Sequence, residues 1–200
     1  MNSWPSQSAE SMNRFYGDPD VNHDGRADAA WMKANLVRVK PPYRMAWSWG
    51  GEVASITVHK RCAESLLRAL DGVARHFGSQ EAIERARMHL CGGAFNFRLQ
   101  RGGSTLSIHS WGAAIDIDPE CNRLGRRYAP QQGMMPMAVV ELFAAEGWEW
   151  GGRWSRPDAM HFQAALVPRS IAAPPPRAGA QRAAAHAALI EQVFSSRRSS

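Results

Sequence analysis

The sequence predicts an α+β fold in which helices pack on one side of a small antiparallel sheet. Two segments, residues 60–77 and 136–146, carry apolar side chains at helical spacing. Two others, residues 113–117 and 160–166, are short runs of mainly small or apolar residues that favour buried strands. A chain of 200 residues that mixes such segments is expected to form one domain with extensions.

The first 40 residues are polar and are expected to form an irregular N-terminal extension. Within them, residues 18–28 place side-chain oxygens at alternate positions and a glycine at the sixth, as an EF-hand calcium loop does. The twelfth position, counted from Asp20, is Trp31 instead of the glutamate that closes such a site. A turn that caps a helix near residues 29–33 is the favoured interpretation, and calcium binding is the alternative.

The segment from residue 41 to residue 168 is expected to hold the folded domain. Alternating hydrophobicity predicts a first strand over residues 52–58. The spacing of apolar residues predicts helices over 60–77, 79–87 and 136–146. Gly78 ends the first of these helices and Ser79 can cap the second. The third helix has a proline in its first turn, where the missing N–H costs nothing.

A proline-rich linker, residues 169–177, is expected to lead into a basic, alanine-rich tail, residues 178–200, that is predicted to be helical. From Val167 to the end there are five arginines and one glutamate, so this part carries +4 of the formal net charge of +6. Its three large apolar residues make a weak membrane-binding face. A solvated tail, or one docked on the folded domain, is therefore favoured over contact with an anionic envelope.

Composition excludes several classes of protein. The three cysteines, Cys62, Cys91 and Cys121, have no close spacing, so neither a disulfide framework nor a cysteine-rich zinc module is indicated. The first fifteen residues lack the apolar core of a signal peptide, and no run of 18 apolar residues occurs. A cytoplasmic, monomeric protein without a transmembrane segment is expected, and scattered basic residues do not indicate a nucleic-acid partner.

Two short motifs predict a zinc site that the sheet would carry. The first contains Ser107, His109, Gly112, Ala114 and Asp116, and the second contains Asp158 and His161. A lone histidine near a tryptophan is more often a core side chain than a ligand. Two imidazoles and one carboxylate, however, form a common ligand set for catalytic zinc, and a second carboxylate can move the proton of a water molecule.

The paired motifs resemble the zinc D-Ala-D-Ala carboxypeptidase family, which includes D-Ala-D-Ala dipeptidases and the L-alanyl-D-glutamate endopeptidases of phage endolysins. The resemblance covers roughly residues 40 to 167 and is closest to the endolysin branch. Trp-Gly-Gly-x-Trp stands before the last acidic residue, and Phe-Arg98-x-x-Arg101-Gly-Gly stands before the first motif. Both features look like that branch.

The resemblance implies a role for each matching residue. His109, Asp116 and His161 would bind one catalytic Zn²⁺, and Asp158 would take the proton of the attacking water and return it to the leaving amine. Asp158 is one methylene shorter than the glutamate of the dipeptidases, so its loop must lie closer to the metal.

Two arginines and a further aspartate have competing interpretations. Arg98 would stabilise the developing oxyanion or the substrate carboxylate, and Arg101 is the competing candidate for that role. A surface cation in a glycine-rich loop remains the alternative for either arginine. Asp118 would share a strand face with Asp116, but Pro119 follows it, so a role in a turn is favoured.

The resemblance thus implies a zinc-dependent peptidase that cleaves peptidoglycan stem peptides as an endolysin does, at the L-Ala–D-Glu bond. A D-Ala-D-Ala carboxypeptidase or dipeptidase is the alternative within the family, because the motifs do not distinguish cleavage sites. A non-catalytic cell-wall or partner-binding module with a structural zinc is the alternative from another class, and Asp158 argues against it. The enzyme would reach the cell wall only after release by another agent, such as the holin that accompanies phage endolysins.

Overall fold

The computed structural model describes residues 4–167, and their fold is α+β, as predicted. The helices of this part are α1 (Ala9–Tyr16), α2 (Ala29–Asn35), α3 (Ala63–Phe77), α4 (Gln80–Arg85) and α5 (Met137–Ala145). Its strands are β1 (Leu36–Val39), β2 (Ala46–Trp47), β3 (Ile56–His59), β4 (Leu90–Gly93), β5 (Ala114–Ile117), β6 (Glu149–Trp150) and β7 (His161–Gln163). No helix among the described residues is long and apolar enough to cross a membrane.

The central sheet has five strands in the order β2-β4-β5-β7-β6. Its pairs are antiparallel except β2 and β4, which run parallel at one edge. A separate antiparallel pair joins β1 to β3. In the central sheet Asp116 of β5 lies opposite His161 of β7, so the two side chains leave the sheet on the same face.

The predicted helices form where apolar spacing and end signals placed them. In α3 the side chains of Leu66, Leu70 and Val73 are fully buried, and Gly78 ends the helix in the left-handed conformation with φ +73°. Helix α3 packs against both α4 and α5. Gly72 permits the close approach to α5, because a Cβ there would lie 2.9 Å from the Cδ2 atom of Leu142.

The expectation of an irregular N-terminal segment is wrong for residues 4–40. This part contains α1, α2 and β1, and it buries Trp4, Met12, Tyr16 and Trp31 in the core. Met12 and Tyr16 are four residues apart, so they share one face of this short helix, and Phe15 packs beside them against the core. The boundary between an extension and a domain near residue 40 stays a prediction.

The expected cap of the second helix is confirmed. The Asp28 side chain accepts a hydrogen bond from the backbone N–H of Trp31 at 2.7 Å. Earlier in the same loop, the Asp20 carboxylate accepts the backbone N–H groups of Asp24 and Gly25. These carboxylates thus serve the turn itself.

The N-terminal segment is fastened to the chain directly after β7. Ser6 forms a parallel bridge with Leu166, and the Tyr16 hydroxyl donates to the carbonyl of Ala164 at 2.7 Å. The N-terminal segment therefore supports the strand that carries His161. The predicted linker, residues 169–177, and the predicted helical tail, residues 178–200, lie outside the described residues.

Candidate metal centre

His109 lies in a single 3-10 turn, Ile108–Trp111, directly before β5. Gly112 ends this turn with φ +67°, a conformation that side chains disfavour. A Cβ at Gly112 would also lie 2.8 Å from the backbone nitrogen of His59, so only glycine fits here. The tight turn brings the imidazole of His109 back towards Asp116 on the strand that follows.

Three predicted ligands converge in the structure. The Nε2 atom of His109 lies 3.2 Å from Oδ1 of Asp116 and 3.2 Å from Nδ1 of His161, and this Nδ1 lies 3.0 Å from the same Oδ1. One ligand atom from each residue thus falls within 4.8 Å of the others, and the group could hold a metal ion. Both histidines are almost fully buried, so their positions are fixed by the surrounding chain.

The spacing of these three atoms fits tetrahedral zinc. Bonds of about 2.0–2.1 Å to nitrogen and oxygen give ligand-to-ligand distances of about 3.3 Å in a tetrahedron. The observed 3.0–3.2 Å distances are close to that value. Two imidazoles with one carboxylate also form the donor set that catalytic zinc prefers, with a fourth position left for water or substrate.

Hydrogen bonds orient both imidazoles. The Nδ1–H of His109 donates to the carbonyl of Ala94 at 2.5 Å, which leaves the lone pair of Nε2 directed at Asp116. The Nε2 atom of His161 lies 3.1 Å from Oε1 of Gln163, on the side of the ring away from Asp116. Each histidine therefore presents a different ring nitrogen to the centre.

The charges of the centre favour an ionised carboxylate. Burial alone would raise the pKa of Asp116, but the imidazoles of His109 and His161 hold that pKa far below its usual range. For His161 the effect of burial is outweighed by the Asp116 carboxylate, so its pKa is raised. The ionised carboxylate and the two imidazoles are the form of the ligand set that binds a divalent cation.

Asp158 lies in the wall of the same cavity, between β6 and β7. Burial raises its pKa to about 6, and the nearby His161 opposes this rise. Its Oδ1 atom is buried and has no hydrogen-bond partner. The close approach of its backbone to Gly151 fixes the loop, since a Cβ at Gly151 would lie 2.6 Å from the Asp158 carbonyl oxygen.

The cavity has a volume of about 270 Å³ and is lined by all three ligand candidates and Asp158. Arg98 and Arg101, the two competing arginines, both line it as well. The Ser110 hydroxyl holds the main chain of Arg98 from both sides, accepting from its N–H at 3.0 Å and donating to its carbonyl at 2.9 Å. The choice between the two arginines stays a prediction.

Asp118 is not part of the cluster. Its side chain is fully buried, bonded to Arg87 at 2.9 Å and to the side-chain amide of Asn122. Its carboxylate therefore binds Arg87 and Asn122 and not the ligand cluster, and the expected role in a turn stays a prediction. All three cysteines are free.

The cavity is also lined by polar residues to which the sequence motifs gave no role, among them Gln7, Arg156 and Gln163. Gln163 stands two positions after His161 in β7, so the period of a strand could have placed it on the same face. Gln7 gives no such signal, because it reaches the site from the other end of the chain. The Arg156 guanidinium donates to the carbonyl of Arg101 at 3.2 Å, which joins the two loops at the rim.

Comparison with known proteins agrees with this geometry. No curated protein and no solved structure matches the chain significantly. Residues 101–164 match the model of a peptidase family described as D-alanyl-D-alanine carboxypeptidase. The match covers about a third of the chain, and that third includes His109, Asp116, Asp158 and His161. It supports a metallopeptidase.

Proposed function

We propose that the protein is a zinc-dependent peptidase that hydrolyses the stem peptides of peptidoglycan as an endolysin-type enzyme, at the L-Ala–D-Glu bond. The observation that carries the proposal is the convergence of His109, Asp116 and His161 beside Asp158 in one cavity of about 270 Å³. A structural metal needs no such cavity and no uncommitted buried carboxylate. The family match over the same residues supports peptidoglycan as the substrate class.

The ligand candidates and Asp158 have distinct roles in the proposed reaction. Zinc held by His109, Asp116 and His161 would polarise the scissile carbonyl and acidify a water molecule. Asp158 takes a proton from the attacking water and passes it to the leaving amine. In the metal-free site burial raises the pKa of Asp158 to about 6, which makes this carboxylate a stronger base than an exposed aspartate.

Arg98 is proposed to stabilise negative charge on the substrate. A fixed guanidinium beside the scissile carbonyl stabilises the charge that develops there, and the same group can bind a peptide carboxylate. Its main chain is held by Ser110, so the base of the side chain has a fixed position. Arg101 remains the second candidate for this role.

A D-Ala-D-Ala carboxypeptidase or dipeptidase is the second candidate function. The description of the matching family favours it, because that description names the carboxypeptidase activity. The endopeptidase is preferred here on the tryptophan-glycine motif before Asp158 and the arginine-glycine motif before His109. Both candidates use the same ligand set and the same base.

Mass spectrometry of products from purified peptidoglycan separates these candidates. Cleavage of L-Ala–D-Glu releases peptides with a new D-Glu amino terminus, whereas carboxypeptidase action releases free D-alanine. The His161→Ala variant is expected to lose most of its bound zinc and all cleavage, and the exposed His76→Ala variant is the matched control. A wild-type protein that holds one zinc per chain and yields no product would be a non-catalytic module instead.

A further inference from the structure

Gln163 is buried beside the metal centre, and the proposed reaction gives it no role. It is 1% exposed, and its side-chain amide lies between His161 on one side and the chain near Ala165 on the other. A buried polar side chain normally has all its hydrogen-bonding groups satisfied, so the direction of this amide carries information.

The partners of the amide nitrogen fix that direction. The Nε2 atom of Gln163 donates to the carbonyl of Ala165 at 3.1 Å and to Oε1 of Gln7 at 3.3 Å. A backbone carbonyl only accepts, so the opposite orientation of the amide would place two oxygens against each other. The carbonyl oxygen of the Gln163 amide must therefore face His161.

The direction of the amide in turn decides the state of the imidazole. Oε1 of Gln163 can only accept, so the Nε2 atom of His161, 3.1 Å away, must carry a hydrogen. In the neutral ring the other nitrogen, Nδ1, then carries the lone pair. Nδ1 is the atom that lies 3.0 Å from Asp116 and 3.2 Å from His109.

We propose that Gln163 is a positioning residue that sets the tautomer and ring orientation of His161, so that Nδ1 is the atom offered to the metal. Gln7 supports it by accepting from its amide. This inference rests on the metal site of the proposed function. A neutral amide in this place holds the ring without adding a third negative charge beside Asp116 and Asp158.

The test compares Gln163→Met, which keeps length and removes the amide, with Gln132→Met, the same change at an exposed position outside the cavity. In metal-free protein at alkaline pH, where the imidazoles are neutral, nitrogen chemical shifts report which ring nitrogen of His161 carries hydrogen. We expect the Nε2–H form in the wild type and in the control, and a mixture of both forms in Gln163→Met. The pure Nε2–H form in Gln163→Met would overturn the proposal.

Zinc affinity, measured by competition with a chelator, gives a second readout. Loss of such an orienting partner weakens metal binding by about 10- to 100-fold, and we expect this loss in Gln163→Met alone. Gln163→Glu keeps an acceptor facing His161 and is expected to restore the tautomer and most of the affinity, even though the Ala165 carbonyl then lacks its donor. Unchanged affinity in Gln163→Met would contradict the inference.

The same measurements separate this inference from the proposed function. If the wild type bound no zinc, the proposed function would fail, and the tautomer measurement would still decide the role of Gln163. If zinc bound and peptidoglycan were cleaved while Gln163→Met behaved as wild type, only the positioning role would fail.

Discussion

At the scale of single residues, Asp158 differs from Asp116 in what surrounds its charge. Two imidazoles compensate the carboxylate of Asp116, whose pKa they lower, whereas burial dominates at Asp158 and raises its pKa to about 6. One carboxylate is thereby kept permanently ionised, as a ligand must be. The other can gain and lose a proton near neutral pH, as a general base must.

Replacing Asp158 by asparagine should therefore separate catalysis from metal binding. We expect Asp158→Asn to keep one zinc per chain and to lose a factor of about 10² to 10⁴ in peptidoglycan hydrolysis, because a general base contributes that much. Zinc analysis and product release measure the two effects, and Asp71→Asn on the outer surface of α3 is the control. Hydrolysis within about twofold of the wild type would exclude Asp158 as the base and make Glu149 the next candidate.

The ligand set could be predicted from the sequence because the residue types and their spacing are themselves the signal. Gln163 could not, because its role depends on which way an amide points, and that direction is set by Ala165 and Gln7. Gln7 is 156 residues away in the chain, so no local pattern connects the two.

At the scale of elements, the turn between His109 and β5 sets the geometry of the centre. Gly112 has both a positive φ and a backbone neighbour in the space that a side chain would fill. Gly133 has a similar φ of +72° but nothing within 4 Å of its missing Cβ. Comparing alanine substitutions at Gly112 and Gly133 therefore separates the cost of the left-handed conformation from the cost of a clash between the new Cβ and its neighbours.

Gly112→Ala is expected to be more damaging than Gly133→Ala. The control should lose only about 1 kcal/mol of unfolding free energy, the usual cost of alanine in this conformation. Gly112→Ala should lose about 1–3 kcal/mol more, because the turn must move away from His59, and zinc affinity should fall because His109 moves with it. Urea unfolding and zinc titration of both variants measure this, and equal losses would show that space around Gly112 is not limiting.

Helices α3, α4 and α5 follow from apolar spacing and end signals, and the two strands of the centre follow from short apolar runs. The sequence predicts these elements to within about three residues at their ends, and the largest differences are at α3, which begins at Ala63 instead of residue 60, and at β7, which ends at Gln163 instead of residue 166. Helix α1 was missed because it has only eight residues, so the apolar pattern of Met12, Phe15 and Tyr16 spans little more than one turn. Strands β2 and β6 have two residues each, too few for any alternation to be visible. These short elements are stabilised by their neighbours: β2 pairs with β4, β6 pairs with β7, and α1 packs against the core.

At the scale of the whole molecule, His59 joins the N-terminal segment to the antiparallel pair of strands β1 and β3. Its Nε2–H donates to the carbonyl of Tyr16 at 3.0 Å, and its Nδ1 accepts the backbone N–H of Arg61 at 3.1 Å. The second contact requires a neutral ring, because Nδ1 must keep its lone pair to accept, whereas the first can also be made by a protonated ring. Burial lowers the pKa of His59 to about 4, and the adjacent cations Arg61 and Lys60 add to this effect.

This junction predicts how stability depends on pH. The unfolded chain binds a proton at His59 near the ordinary value of 6.5, while the folded protein resists it down to about 4. The stabilisation is therefore complete above pH 6.5 and is lost as the pH falls towards 4, by roughly 3 kcal/mol in all. Urea unfolding of metal-free protein across this range should show a steeper decline in the wild type than in His59→Gln. Parallel curves for the two proteins would contradict the assignment.

The bridge between Ser6 and Leu166 has a consequence for the order in which the protein is made. A ribosome produces Gln7 and the first helix early, but their partners, Gln163 to Leu166, emerge only after almost the whole described domain. Until then the nascent chain lacks one imidazole and the strand that bears it. A chain cut short before residue 161 lacks His161, so it holds no complete ligand set and is expected not to bind the metal.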